Sequence, residues 1–154
     1  MAGTGRAVWH DLMTTDAEKA IQFYSAIFGW KTEEFDMGEV GKYQMINAGG
    51  ENVGGFVPMD PSTEIPSTWL AYVTVNDVDD IAKRIPDLGG AVGMEPTDIP
   101  EVGRFAIIAG PEGASISPFK GLAEMPEKEG TPIVGRFVWD ELLSSNPSAS
   151  KDFY

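Results

Sequence analysis

Residues 5–24 read GRAVWHDLMTTDAEKAIQFY, and residues 135–154 read GRFVWDELLSSNPSASKDFY. Set at an offset of 130, Gly5, Arg6, Val8, Trp9, Leu12, Phe23 and Tyr24 recur as Gly135, Arg136, Val138, Trp139, Leu142, Phe153 and Tyr154. Asp11 and Glu141, Asp16 and Asn146, and the Thr/Ser pairs are chemically alike as well. The first copy sets the pattern for the chain. Ala7 to Thr14 reads as a strand, and Thr15-Asp16 supplies an N-cap for AEKAIQFYSAIF, in which Ala20, Ile21, Tyr24, Ile27 and Phe28 fall at helical spacing. Gly29 closes that helix in the left-handed position.

Three short extended pieces follow, Lys31 to Phe35, Tyr43 to Asn47 and Val53 to Val57, separated by the turn-forming stretches DMGEVG and AGGEN. The first unit is βαβββ. PMDPSTEIPST, with three prolines, reads as a connection. The order then restarts 60 or 61 residues on, with strand Trp69 to Val75, a cap at Asn76 or Asp77, and helix VDDIAKRIPDL, which Pro86 should end or kink early. Strands near Ala91 to Glu95, Arg104 to Ala109 and Ala114 to Phe119 complete it, with GPEG turning between the last two. Such periodicity is a structural duplication. The expected fold class is α+β, with paired βαβββ units forming a curled mixed sheet. The complete domain spans 6–120 (units 6–57 and 68–120), residues 121–134 form a linker, and 135–154 hold the first strand and helix start of a second, truncated domain.

Composition narrows the function. The chain has 154 residues, 42% of them apolar and 23% charged, which suits one soluble globular domain with an appendage. No apolar run reaches transmembrane length and the N-terminus lacks a signal-peptide core, so the expected location is cytoplasmic. Eleven basic against 24 acidic residues give 11 − 24 = −13, a surface that repels phosphate backbones and anionic membranes; neither nucleic acid nor membrane is an expected partner. Without cysteine there is no thiol nucleophile, thiolate metal site or disulfide.

Two βαβββ units, D-x6-F-Y on the first helix, Gly89-Gly90 after the second and G-P-E-G before the last strand together resemble the vicinal oxygen chelate superfamily of glyoxalases, extradiol dioxygenases, fosfomycin-resistance enzymes and bleomycin-binding proteins. Within it, the paired V-W-[HD]-[DE]-L openings are similar to the two-domain mycobacterial antigen and hydroxylase branch. The resemblance implies a cup closed by the two units around a ligand, with His or Glu metal ligands at fixed points in metal-dependent members. Seven residues before the cap Asp16, the first histidine position is Trp9; the same count from Asp77 gives Leu70. The glutamate of the last strand falls on Ser117, and the fourth strand offers Asn52, Val53, Gly54, Gly55 and Phe56. No metal and no cofactor are therefore expected.

Strand alternation puts Trp9, Asp11 and Met13 on one face and His10, the only histidine, on the other. Trp9 either fills the core or walls a flat ligand. Asp11 either contacts a ligand or makes a structural hydrogen bond or salt bridge, to Arg104 or Arg6, because a bare carboxylate beside an indole is unfavourable. Trp69, Tyr72, Phe105 and Phe119 read first as core, with Tyr72 sharing the parity of Leu70. DVDD at 77–80 reads as a helix N-terminus that favours acids, without the ligand spacing of a calcium loop. The expected ligand-lining set is Trp9, Asp11, Met13, Leu70, Tyr72 and Ser117, holding a small, largely apolar or aromatic molecule without a metal; no catalytic residue is identified. A lyase or hydroxylase acting on a small carbonyl or aromatic substrate is the alternative, and a protein-interaction module a third. The 135–154 segment, a strand without its unit, is expected to pair two chains into a homodimer.

Overall fold

A computed structural model describes residues 4–36, 42–123 and 133–154. The turn at 37–41 and most of the 121–134 connection lie outside the described residues. The described residues fall into two compact units, 9–70 with 133–139, and 4–8 with 71–123 and 140–154.

In the first unit, β1 (Ala7–Thr14) leads into α1 (Ala17–Phe28), followed by β2 (Lys31–Asp36), β3 (Lys42–Ala48) and β4 (Glu51–Pro58). Asp16 caps α1 by accepting from the Lys19 amide, and Gly29 ends it at φ 68°. The strands lie in the order β2-β3-β4-β1. The first three form an antiparallel meander, and β1 returns parallel to β4 with Asp11 opposite Gly55 and Leu12 opposite Phe56. One face packs beneath α1: Leu12, Ile46, Ala48 and Phe56 are buried with Trp30, and Ala17, Ala20, Ile21 and Tyr24 of the helix close over them. Ile27 and Phe28, placed on the same stripe by their spacing, stay about half exposed. They lie in the last turn, which runs past the edge of the core.

The second unit repeats the plan. It holds β5 (Thr68–Thr74) from Ala71 on, α2 (Val78–Arg84), β6 (Ala91–Ile99), β7 (Gly103–Ala109) and β8 (Ser115–Gly121), with strand order β5-β8-β7-β6. Again the meander is antiparallel and the return, β5 on β8, is parallel, with Tyr72 opposite Ser117. Asp77 caps α2 through the Asp80 amide. Pro86 has no amide to continue the helix, so α2 stops at Arg84 and a single 3-10 turn, Pro86–Leu88, follows. Val78, Ala82 and Ile85 pack inward, as do Ala106 and Ile108 of β7. β6 runs on through Pro96, four residues beyond the expected end. It is an edge strand whose register against β7 shifts at 92/94 and 94/97, and an edge strand tolerates a proline.

The strand expected at the start of 135–154 is not formed: no residue from 133 to 146 belongs to a strand or helix. A strand sequence needs a ladder partner, and β1, the equivalent segment, has one in β4. The helix start is realised as α3 (Pro147–Phe153), capped by Asn146 through the Ala149 amide as Asp16 caps α1.

Candidate functional site

On the strand face of the first unit that looks away from α1, three side chains hydrogen-bond to one another. The Trp9 indole N–H donates to Asp11 Oδ1 and to the Tyr43 hydroxyl, both at 2.9 Å, and the Tyr43 hydroxyl donates to Asp11 Oδ1 at 2.6 Å. Asp11 is 4% exposed, so these donors are what lets a carboxylate sit beside an indole. Gly55, opposite Asp11 on β4, makes room: a Cβ there would lie 2.0 Å from the Tyr43 oxygen and 2.6 Å from its ring edge. Met13 follows on the same face and is half-buried.

The sequence leaves Asp11 to contact either a ligand or, by hydrogen bond or salt bridge, Arg104 or Arg6, and its hydrogen bonds to Trp9 and Tyr43 are the structural kind. Arg104 grips Asp79 with two donors, Nε at 2.7 Å and Nη2 at 2.9 Å, and Asp98 with Nη1 at 2.8 Å. This pairing holds the Asp79 carboxyl below its ordinary range and raises the guanidinium further, so DVDD ties α2 to β7. His10 lies on the opposite face from Trp9, as alternation requires, buried with its ring stacked on Phe137 at 4.0 Å.

Of the remaining expected residues, Leu70 in the first unit is 1% exposed. In the second unit Tyr72 is buried against Phe105 and Phe119, with ring centroids 5.8 and 6.1 Å away. Ser117 is fully buried and donates from Oγ to the Ala106 carbonyl at 2.8 Å. Trp9, Asp11 and Met13 thus share one strand face in the first unit, and Tyr72 lies opposite Ser117 in the second. Sequence reasoning missed Tyr43. Its signal was indirect: a glycine within a strand, Gly55, marks a close approach by another group.

Two clefts occur elsewhere. One of about 290 Å³, in the second unit, is bordered by Asp79, Ala82, Lys83, Pro86, Val92 and Glu95. The other, about 310 Å³ in the first unit, lies among Tyr24, Phe28, Trp30, Trp69, Arg136 and Phe137. Neither includes any of the six residues expected to line a ligand site.

The residues do not fit a divalent metal at the positions the resemblance implies. Trp9 presents an N–H donor, Leu70 an alkyl group, and the Ser117 hydroxyl is committed to Ala106. Among the described residues no three His, Asp or Glu side chains come together.

A family model described as the Glyoxalase/Bleomycin resistance protein/Dioxygenase superfamily matches residues 6–117. "Putative glyoxylase CFP32" of Mycobacterium tuberculosis is 36% identical over 117 residues, covering 76% of this chain and 44% of that protein. The "Anthracycline biosynthesis protein DnrV" of Streptomyces peucetius is 30% identical over 164 residues, covering 97% of this chain and 59% of that protein. The chain therefore spans about half the length of these relatives. Among solved structures, a Streptomyces coelicolor methylmalonyl-CoA epimerase variant superposes with a TM-score of 0.52 at 18% identity, over 80% of this chain and 100% of that one. A 4-hydroxymandelate synthase variant, also from Streptomyces coelicolor, gives 0.55 at 15% identity, over 78% of this chain and 39% of that one. At such identities the likeness shows the fold alone.

Proposed function

From the premise that the chain belongs to the Glyoxalase/Bleomycin resistance protein/Dioxygenase superfamily, we propose that it binds a small, flat, largely apolar or aromatic molecule, without a metal, against the sheet face that carries Trp9, Asp11 and Met13. The observation that carries this reading is the state of Trp9. Its N–H is fixed by Asp11 and Tyr43, so the ring is held in one orientation and a ligand meets its π-face without ordering it first. The half-buried Met13 thioether adds an adaptable apolar contact. Leu70, Tyr72 and Ser117 complete the proposed set as apolar and polar lining of their own units.

The test is titration of tryptophan fluorescence with flat aromatic molecules, alongside elemental analysis of protein purified without chelator. Trp9→Phe should remove most of the ligand-dependent signal, and Trp69→Phe should leave it. The reverse pattern puts the ligand elsewhere, and one equivalent of zinc, nickel, iron or manganese would falsify the metal-free reading.

One observation favours a catalytic second reading, a lyase or hydroxylase acting on a small carbonyl or aromatic substrate. The buried Asp11 carboxylate and the Tyr43 hydroxyl, 2.6 Å apart, form an acid–base pair on the same face. If this reading holds, Asp11→Asn abolishes turnover while aromatic ligands still bind; if turnover persists, Asp11 is structural.

For residues 135–154 we propose the first strand and helix start of a second domain of the same kind, and a homodimer joined through them. Supporting this are the repeat of 5–24 and the exposure of its apolar side chains, Val138 at 80%, Trp139 at 76% and Leu143 at 93%. Such a surface on a segment without ladder bonds is suited to a partner sheet. Deleting residues 134–154 should turn a dimer into a folded monomer in sedimentation, and an unchanged sedimentation coefficient per chain counts against it.

A further inference from the structure

The 310 Å³ cleft of the first unit is on the side of β1 away from Trp9, since its wall contains Phe137, which stacks on His10. Five rings border it, Phe28 among them; of the other four, Tyr24 to Trp30 is 5.6 Å between centroids, Tyr24 to Trp69 5.3 Å, Trp69 to Phe137 5.1 Å and Trp30 to Phe137 5.7 Å. Its volume lies at the small end of the range for small-molecule sites. Both indole N–H groups are committed, Trp30 to the Gly135 carbonyl at 2.6 Å and Trp69 to the Tyr24 oxygen at 3.2 Å. The indoles therefore offer ring surface rather than donors. The polar side chains that border the cleft are Tyr24, whose hydroxyl accepts from Trp69 and keeps its own hydrogen to give, and Arg136.

Arg136 decides the chemistry. Its side chain is mostly buried, at 21% exposure, and Nη2 pairs with Glu51 Oε2 at 3.0 Å, so one edge of a five-donor fork is engaged by a carboxylate. We propose that this cleft is a binding site for a planar aromatic acid, its ring laid on the half-buried faces of Trp69 and Phe137, backed by Trp30, and its carboxylate or phenolate on Arg136, with the Tyr24 hydroxyl as second donor. The net charge of −13 opposes any anion at long range. At 0.15 M salt that repulsion is screened beyond about 8 Å, whereas a guanidinium in contact is not, so the local charge prevails. A cationic guest is disfavoured by the same arginine, and a neutral one loses only the ionic contact.

The site is separable from the Trp9 face. Isothermal titration of the full chain at 0.15 M salt with 2-naphthoate, and with 2-naphthylmethanol as its neutral counterpart, is the experiment. The acid should bind more tightly than the alcohol. Arg136→Gln should weaken the acid about tenfold or more and change the alcohol less than about twofold. Glu51→Gln, which removes the carboxylate competing for the fork, should tighten the acid. Thermal melts of each variant check that it folds. No binding of the acid by the parent chain, equal affinity for acid and alcohol, or insensitivity to Arg136→Gln in a folded variant overturns the proposal.

Discussion

Tyr43 is the residue whose removal says most about the candidate site. Its hydroxyl donates to Asp11 and accepts from Trp9, so Tyr43→Phe removes one charge-assisted bond from a buried carboxylate and one acceptor from the indole. A hydrogen bond to a charged group contributes about 1.5–3 kcal/mol, so that much destabilisation is expected in urea titration. Gly55→Ala should do comparable harm by a different route, because its Cβ would overlap the Tyr43 phenol, which must swing away. Both variants should also loosen Trp9 and shift its emission. If Tyr43→Phe is neutral and the emission unmoved, Trp9 is held by packing alone, and the rigid platform that the proposed ligand face depends on is not built this way. Alternation along β1 was enough to put Trp9 with Asp11 and against His10. The third member was not legible, because it arrives through the β3–β4 register, and register depends on a bulge between Ile46 and Asn47 that a single strand's pattern does not display.

Among the elements, α1 was readable to the residue because both its ends carry local chemistry, a capping carboxylate at Asp16 and a left-handed glycine at Gly29. The 133–146 stretch was not, although it copies β1 closely. A helix makes its hydrogen bonds within itself, so α3 forms where the sequence places it, whereas a strand must borrow a partner. What holds α3 in the second unit is the turn before β8. The Glu112 carboxylate accepts from the Ser144, Ser145 and Ser150 hydroxyls and from the Ser145 amide. Those hydroxyls, Ser144 foremost, lower the Glu112 pKa from 4.5 to about 2. A carboxylate with a depressed pKa supports docking fully above its free value, and that support is lost as pH falls from about 4.5 through about 2. The Glu112 carboxyl resonance should therefore titrate near pH 2, with the α3 amides moving in step; a midpoint at the ordinary glutamate value would mean that the serine clamp is absent in solution. Gly110→Ala tests the other anchor. Its Cβ would lie 2.5 Å from the Tyr154 oxygen, which donates to the Ala114 carbonyl. Faster exchange of the α3 amides with unchanged protection in β7 is the expected result, and uniform protection would show that the tyrosine contact contributes nothing.

At the scale of the whole molecule the dominant fact is charge: 24 acidic groups against 11 basic ones, and an isoelectric point near 4.3. Two electrostatic effects then compete as salt is added at pH 7. Screening relieves the repulsion among excess carboxylates, which favours the folded chain, and it weakens attractive pairs, which disfavours it. The pairs are mostly surface contacts, such as Lys42 with Glu34 at 2.7 Å and Arg84 with Asp80 at 3.9 Å, and exposed pairs contribute about 0–1 kcal/mol each. Arg104 between Asp79 and Asp98 adds a partly exposed cluster, and it is one cluster against a net surplus of 13 negative charges. Repulsion should win. Raising sodium chloride from 10 mM to 500 mM at pH 7 is expected to increase the melting temperature by about 2–8 °C, the equivalent of about 1–2 kcal/mol for a chain of this size. Near pH 4.3 the net charge is close to zero, so repulsion is gone and the same salt step should leave the melting temperature flat or lower it. That second arm separates charge screening from any general effect of salt on apolar burial, which would persist at both pH values. A melting temperature that falls with salt at pH 7 would mean that the ion pairs outweigh the surplus, with the Arg104 cluster holding α2 to its sheet more firmly than its partial exposure implies.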